Sequence, residues 1–380
     1  NITPIKNLRE SWIETALETM THQWLADYFF PKDTVDAIRR NMLERQMAQV
    51  GWISDVPDPV TQPSVPAQPT DPPVTELPTE PPQDEAELAF YELFWELNRT
   101  SFEDYLDTHP ETLDNGWQNI YINEAGLEDE GTSIYTSMGE QVLAIDAKNK
   151  ILLLRVSDTG YLGVLAVAKD PSQLRCVQSE GLDGFRYGQL IGTLVANGNG
   201  ILGMSGSGFI DPEGNGNGGL LAGYAVCEGV HYGTHDTQVG AKRIELWNND
   251  RFYIRDVFDE VREEVTDAVE FAPALIIDGE MAVGGFYAWN GINPRAAIGQ
   301  SAEGEILMLV IEGRQVTRSI GTDVETCAKI LMRHDCYTAM NLDGGTSAIM
   351  WYRDEYVTKC SNANIESRYL PNAWVYGYQE

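Results

Sequence analysis

The spacing of apolar positions changes along the chain, and the changes divide it into four stretches. At the start Leu8, Trp12, Ile13, Ala16, Leu17 and Met20 recur at helical spacing. After Pro31 a second helical stretch begins near Asp33 and runs to about Gln49, so residues 1–55 read as a helical hairpin. Over residues 56–83 the periodicity disappears. This stretch is dense in Pro, Thr, Asp and Glu, and Asp71-Pro72-Pro73 and Glu80-Pro81-Pro82 stiffen it toward extended polyproline conformation. Residues 56–84 are therefore expected to form a solvated linker, and the rest of the chain to fold and act without residues 1–83.

Helical spacing returns over residues 85–97, where Leu88, Tyr91, Leu93, Phe94 and Trp95 make a helix too aromatic to stay undocked. Ser101, with Asp104 three residues on, reads as the cap of a short helix. From Trp117 the pattern becomes that of strands, at 119–123, 141–145, 151–156 and 161–168, separated by Gly, Asp and Asn. Thr322-x-x-Glu325 has the form of a capping box, opening a helix with Val324, Cys327, Ile330 and Leu331 on one face. There is no internal repeat and no seven-residue apolar pattern. The class that follows is α+β, a sheet-rich body with a few packed helices. In it, residues 85–162 lead into a main domain at 163–380.

Composition narrows the partners. With 380 residues and 43% hydrophobic content the chain can bury a sizeable core. Its 26 basic and 58 acidic residues give a net charge of −32, which excludes nucleic acid or an anionic membrane held by bulk charge. An anionic substrate would have to be held by local groups. Cys176, Cys227, Cys327, Cys336 and Cys360 include no Cys-x-x-Cys pair, so neither a zinc site nor a dense disulfide framework is implied. No apolar run reaches the roughly 18 residues a membrane span requires.

The candidate chemistry centres on Asn341-Leu342-Asp343-Gly344-Gly345-Thr346-Ser347. Residues 337–340 read as a strand before it and 348–352 as a strand after it, which makes Asp343-Gly344-Gly345 the corner between them. Glycines there allow positive φ and close approach of the backbone to a ligand, and successive N–H groups can form an anion-binding nest. Taken alone, the segment could equally be a plain Asp-Gly hairpin turn.

Three other segments stand in order around this corner. Asn293-Pro294-Arg295-Ala296-Ala297-Ile298-Gly299 precedes Gly304-Glu305 and the run from Ile306 to Arg314; then come Ser319-Ile320-Gly321 and, late in the chain, Glu366-Ser367-Arg368-Tyr369. In this order the motifs resemble those of the phosphodiester glycosidases, over roughly Gly163 to the C-terminus. The resemblance implies a hydrolase acting on a glycosyl-1-phosphodiester, with no cofactor and no metal. It implies Asp343, Arg295 and Arg368 as catalytic residues, with Asn341, Gly344, Gly345, Thr346 and Ser347 around the substrate. Ser205, in Met204-Ser205-Gly206-Ser207-Gly208-Phe209, stands where the family has an asparagine. The opening at Asn1, with Leu8-Arg9-Glu10-Ser11-Trp12-Ile13, looks trimmed and resembles bacterial members anchored by a span just upstream, which implies export to the cell surface.

Arg295 and Arg368 would clamp the phosphate through bidentate, charge-assisted contacts, while Asp343 stabilises an oxocarbenium-like sugar, attacks it or activates water. A second carboxylate is sought among Asp211, Glu213 and Asp278, the last reading as a simple turn with Gly279. Asp211 to Gly219 alternates oxygen ligands as a calcium loop does, but Ala222 stands where such a loop supplies its bidentate Glu, so a turn is favoured. His231 and His235 have metal spacing only on a helix, and Gly233 breaks it, leaving loop histidines. The expected substrate is an envelope glycan or modified sugar. The alternatives are a non-catalytic carbohydrate-binding domain and an exopolysaccharide-assembly protein on the same fold, and completeness of the polar set around Asp343 separates them.

Overall fold

The computed structural model describes residues 3–19, 22–55, 84–182, 187–211, 216–235, 240–284 and 291–379. Residues 56–83 of the expected linker at 56–84, and Glu213, lie outside the described residues, while Asp84 caps the helix that follows. Among those described are seven α-helices and three sheets in which every strand pairing is antiparallel, an α+β architecture with helices first.

The largest sheet runs in the order β1 (Tyr121–Asn123), β2 (Gln141–Asp146), β3 (Ile151–Asp158), β4 (Tyr161–Ala168), β15 (Ile306–Ile311), β14 (Arg295–Ser301), β16 (Cys336–Leu342), β12 (Ala274–Ile277), β13 (Glu280–Met281). A second has the order β10 (Phe252–Asp256), β9 (Lys242–Trp247), β11 (Val265–Phe271), β7 (Tyr224–Cys227), β8 (Val230–Gly233). The third is β18 (Glu355–Tyr356), β17 (Met350–Tyr352), β6 (Leu202–Ser205), β19 (Asn372–Tyr376), β5 (Leu174–Gln178).

The central strands of the large sheet are apolar on both faces because both faces are covered. Ile151, Leu153, Met308, Val310 and Met340 pack on one side with Ile244, Val269, Met204 and Trp374 of the two smaller sheets. Leu152, Leu154, Leu307, Leu309 and Ala339 pack on the other with Phe90, Phe94, Phe102, Cys327 and Leu331. Those five come from α4 (Glu85–Leu93), its C-cap Phe94, α5 (Arg99–Thr108) and α7 (Val324–Met332). The aromatic face of residues 85–97 is thus docked. The caps differ from the sequence reading by one or three residues. Asn98, not Ser101, caps α5 by accepting from the Ser101 N–H, and Asp323, not Thr322, caps α7 by accepting from the Thr326 N–H. In both helices the residue that wins is the Asn or Asp side chain nearest the first turn.

The N-terminal stretch holds three helices rather than two: α1 (Thr3–Glu18), α2 (Gln23–Phe29) and α3 (Lys32–Ala48). Ile13, Ala16, Ala26, Val35 and Ile38 form their small core, and Glu14 pairs with Arg45 at 2.8 Å inside it. They are tied to the sheets. Gln49 donates to the carbonyls of Ala274 and Ala282, the Lys242 ammonium donates to those of Gln49 and Trp52, and Ser54 exchanges hydrogen bonds with Ile254. One further helix, α6 (Ile191–Asn197), covers the third sheet.

Candidate active site

Antiparallel pairing gathers the charged residues at one end of two sheets. Ala296 pairs with Leu342 and Arg295 with Ile311, so the start of β14, the end of β16 and the segment after β15 share an edge. That edge carries Arg295, Asp343 and Arg314. In the third sheet Ala373 pairs with Ser205, which brings the segment after β6, with Asp211, beside the segment before β19, with Arg368. The chain passes from β16 in the first sheet to β17 in the third through Asp343 to Ser347. A hairpin is ruled out, because the two strands lie in different sheets.

The cleft between these ends has a volume of about 540 Å³, enough for a sugar ring and a phosphate. Asp343, Arg295, Arg368, Asn341, Gly344, Gly345, Thr346, Ser347 and Asp211 all line it. At the corner, Gly345 has φ of 59° and its N–H donates to the Pro294 carbonyl at 3.0 Å; a Cβ on Gly344 would lie 2.6 Å from the same oxygen. Only glycine fits there without displacing Pro294.

Asp343 opens partly to the cleft but is otherwise enclosed by protein, and this burial pushes its carboxyl up to about 6. The Ser347 hydroxyl donating to it and the charges of Arg368 and Arg314 oppose the shift, while Asp211 adds to it. Arg368 pairs with Asp211 at 2.9 Å, donates to the Gly216 carbonyl and lies over the Phe209 ring. Arg295 pairs with Glu18 at 2.8 Å and donates to the carbonyls of Gly291 and Thr322. Both arginines expected to clamp an anion are therefore already held by carboxylates.

Arg314 is different. It stands at positive φ after β15, donates to Asn293 at 3.3 Å and faces Gly345, and it forms no ion pair with a carboxylate among the described residues. It is exposed to the cleft, yet the protein around it, and the charge of Arg295, weaken its hold on its proton, against the pull of Asp343.

Other expected residues fall elsewhere. Ser205 is fully buried on β6, away from the cleft, with a hydroxyl that has no hydrogen-bond partner among the described residues. Asn341 donates to the Ala272 carbonyl, and its own side-chain oxygen is likewise unpartnered there. Asp278 sits in the turn between β12 and β13, accepting from the Asp55 N–H at 2.6 Å and not lining the cleft. His231 lies on β8 rather than in a loop, against the Tyr224 hydroxyl, and His235 pairs with Glu270 at 2.6 Å. Among the described residues no group of three His, Cys, Asp or Glu could hold a metal ion. All five cysteines are free thiols.

Two charged residues of the cleft escaped sequence reading. Arg314 was visible only as the charged residue just past a strand that is apolar at every position. Glu18 gave no signal, since a glutamate on an amphipathic helix reads as solvated; instead Leu17, Glu18, Thr19, Met42 and Gln46 form a wall of the cleft.

Residues 198–376 match the model of the family NAGPA: Phosphodiester glycosidase. The match is to a phosphodiester glycosidase domain. It contains Asp211, Arg295, Arg314, the Asp343 corner and Arg368, whereas the wall built by α1 and α3 comes from outside the matched segment. No curated protein matches the chain. Among solved structures it is similar to the zebrafish N-acetylglucosamine-1-phosphodiester alpha-N-acetylglucosaminidase catalytic domain, auto-inhibited by its pro-peptide. The two are 16% identical with a TM-score of 0.49, over 60% of this chain and 82% of that one. It is also similar to a hypothetical protein from Synechocystis, 12% identical with a TM-score of 0.41, over 62% of this chain and 63% of that one.

Proposed function

We propose that the cleft of this phosphodiester glycosidase domain hydrolyses a glycosyl-1-phosphodiester, cutting between the anomeric carbon and the phosphate oxygen. The observation that carries the reading is the convergence of a largely enclosed carboxyl with a value near 6, a glycine corner and an arginine without a carboxylate partner among the described residues in one cleft. The leaving phosphate monoester has a second ionisation near 6, so at neutral pH it departs without a proton from the enzyme. Asp343 then acts as a carboxylate on the sugar side, attacking the anomeric carbon or taking a proton from the attacking water. Arg314 holds the phosphate, with the Gly344 N–H and the Thr346 hydroxyl around it. Arg295 and Arg368 frame this centre, and Ser347 keeps the Asp343 carboxyl oriented by donating to it. No step calls for a cofactor.

The substrate class that fits is an envelope glycan or modified sugar met outside the cell. No helix among the described residues is long and apolar enough to cross a membrane. A panel of sugar 1-phosphodiesters, assayed for released reducing sugar with Asp343→Asn as control, tests the proposal. Release by the parent alone is the expected result. Equal release by both proteins overturns the role given to Asp343, and no release from any member of the panel overturns the hydrolase reading in favour of a binding domain on the same fold.

A further inference from the structure

We propose that Glu18, carried by α1 from outside the matched domain, is the specificity-determining residue that makes the cleft accept phosphate diesters and release phosphate monoesters. The inference rests on the glycosidase reading of the same cleft. A glycosyl phosphodiester carries one negative charge, and the monoester left after cleavage carries close to two above pH 7. The enzyme must hold the first and let go of the second, although the second is the stronger ligand for any surplus of positive charge.

The charges lining the cleft are disposed to do this. Three guanidiniums face it, and two are neutralised from within the protein: Arg368 by Asp211 at 2.9 Å and Arg295 by Glu18 at 2.8 Å. Only Arg314 has no carboxylate partner among the described residues. Arg314 shares the cleft only with the catalytic carboxylate of Asp343, so the positive charge left over suits a monoanion better than a dianion. The Glu18–Arg295 pair is nearly enclosed, with side-chain exposures of 11% and 9%, so water screens it little. It is also built rather than incidental. The same Glu18 oxygen accepts from Asn293 at 3.0 Å, the Thr15 hydroxyl accepts from the Ile292 N–H at 2.8 Å, and a Cβ on Gly291 would lie 2.3 Å from the Glu18 carboxylate. Arg295 lies close enough to Arg314 for their charges to oppose one another. Removing the charge of Glu18 would therefore add a second uncompensated guanidinium beside the first.

This gives a sign that a structural role does not. If Glu18 only held the wall in place, its loss would weaken every ligand; as a charge-setting residue, its loss tightens the dianion. The test uses the full chain at pH 8 and a phenyl ester of a sugar 1-phosphate as substrate, whose cleavage releases phenyl phosphate. The ratio of the inhibition constant of phenyl phosphate to the KM of the diester is measured for the parent and for three variants. Glu18→Gln should lower this ratio about fivefold to tenfold by tightening the monoester. Arg295→Gln should raise it by a similar factor. The double variant, which removes both charges, should return it to within about twofold of the parent. A ratio unchanged or raised in Glu18→Gln overturns the proposal. Should that variant not fold, an Arg295→Gln ratio at or below the parental value overturns it equally. A parent that cleaves no diester overturns the functional reading and this inference together, whereas an active parent with a flat ratio overturns only the inference.

Discussion

Asp343 shows how far one residue's environment decides its chemistry. Its carboxyl is raised from 3.8 to about 6 because burial outweighs the help of Ser347, Arg368 and Arg314. If it acts ionised, kcat/KM should rise with pH through about 6, and Asp343→Asn should lose that limb along with at least a hundredfold in kcat. The same shift fixes a stability sign. The folded state binds the proton more tightly than the unfolded state, so between pH 3.8 and about 6 the ionised carboxylate increasingly costs stability as pH rises. Asp343→Asn should therefore be about as stable as the parent at pH 4 and more stable by ~2 kcal/mol at pH 8, read from urea unfolding at the two values. Equal stability at both would mean the carboxylate is not held against its preference. Arg314 makes the matching case for charge. Arg314→Gln should raise KM for a phosphodiester by about tenfold or more and leave KM for a neutral aryl glycoside of the same sugar unchanged, because only the first presents an anion.

At the scale of the element, the corner between β16 and β17 works because two strands of different sheets end at the same place. Gly344→Ala would put a methyl 2.6 Å from the Pro294 carbonyl, and Pro294 precedes Arg295 and lines the cleft. The variant should lose ~2 kcal/mol of stability and at least tenfold in kcat. Gly139, at φ of 85° with no atom within 4 Å of where a methyl would stand, is the control: Gly139→Ala should cost ~1 kcal/mol from backbone strain and leave turnover at the parental rate. Loss of activity in both would point to general destabilisation. This corner was the most legible feature of the sequence, since Asp-Gly-Gly-Thr-Ser between two apolar runs already asks for a carboxylate at a strand end with closely approaching backbone around it. What could not be read was that its flanking strands join different sheets, because sheet membership is set by pairings between segments far apart, such as Ala296 with Leu342 and Met350 with Met204. The strand at 161–168 was found to the residue because its apolar positions are buried on both faces. α2 was missed because its seven residues bury only Ala26, too little to leave a periodic signature. Partner choice was equally hidden. Arg295 and Arg368 stand in the cleft as expected, but their carboxylates come from residues 277 and 157 positions away, a distance that no local pattern spans.

Across the whole molecule, a net charge of −32 makes the cleft an exception that must be maintained locally, and the N-terminal helices take part in that. The Pro-rich composition of residues 56–83 suggested a main domain that could dispense with everything before it. The contacts argue otherwise. Without residues 1–83, Arg295 loses its carboxylate, the Ala274 and Ala282 carbonyls lose the Gln49 amide, and the fully buried Lys242 ammonium loses the carbonyls of Gln49 and Trp52. Burial already weakens the hold of Lys242 on its proton, and the charge would be left to Asp256, in contact, and Asp259, farther off. A buried ammonium stripped of two acceptors costs on the order of 2–4 kcal/mol, and the two carbonyls add to this. The truncated chain should therefore melt at least ~5 °C below the parent and bind the diester more weakly. Gln49→Ala in the full chain separates the two effects. It removes the amide while Glu18 stays in the cleft, so it should lower the melting temperature with little change in KM. If the truncated protein instead melts and turns over as the parent does, the helices are an appendage, and the cleft is complete without them.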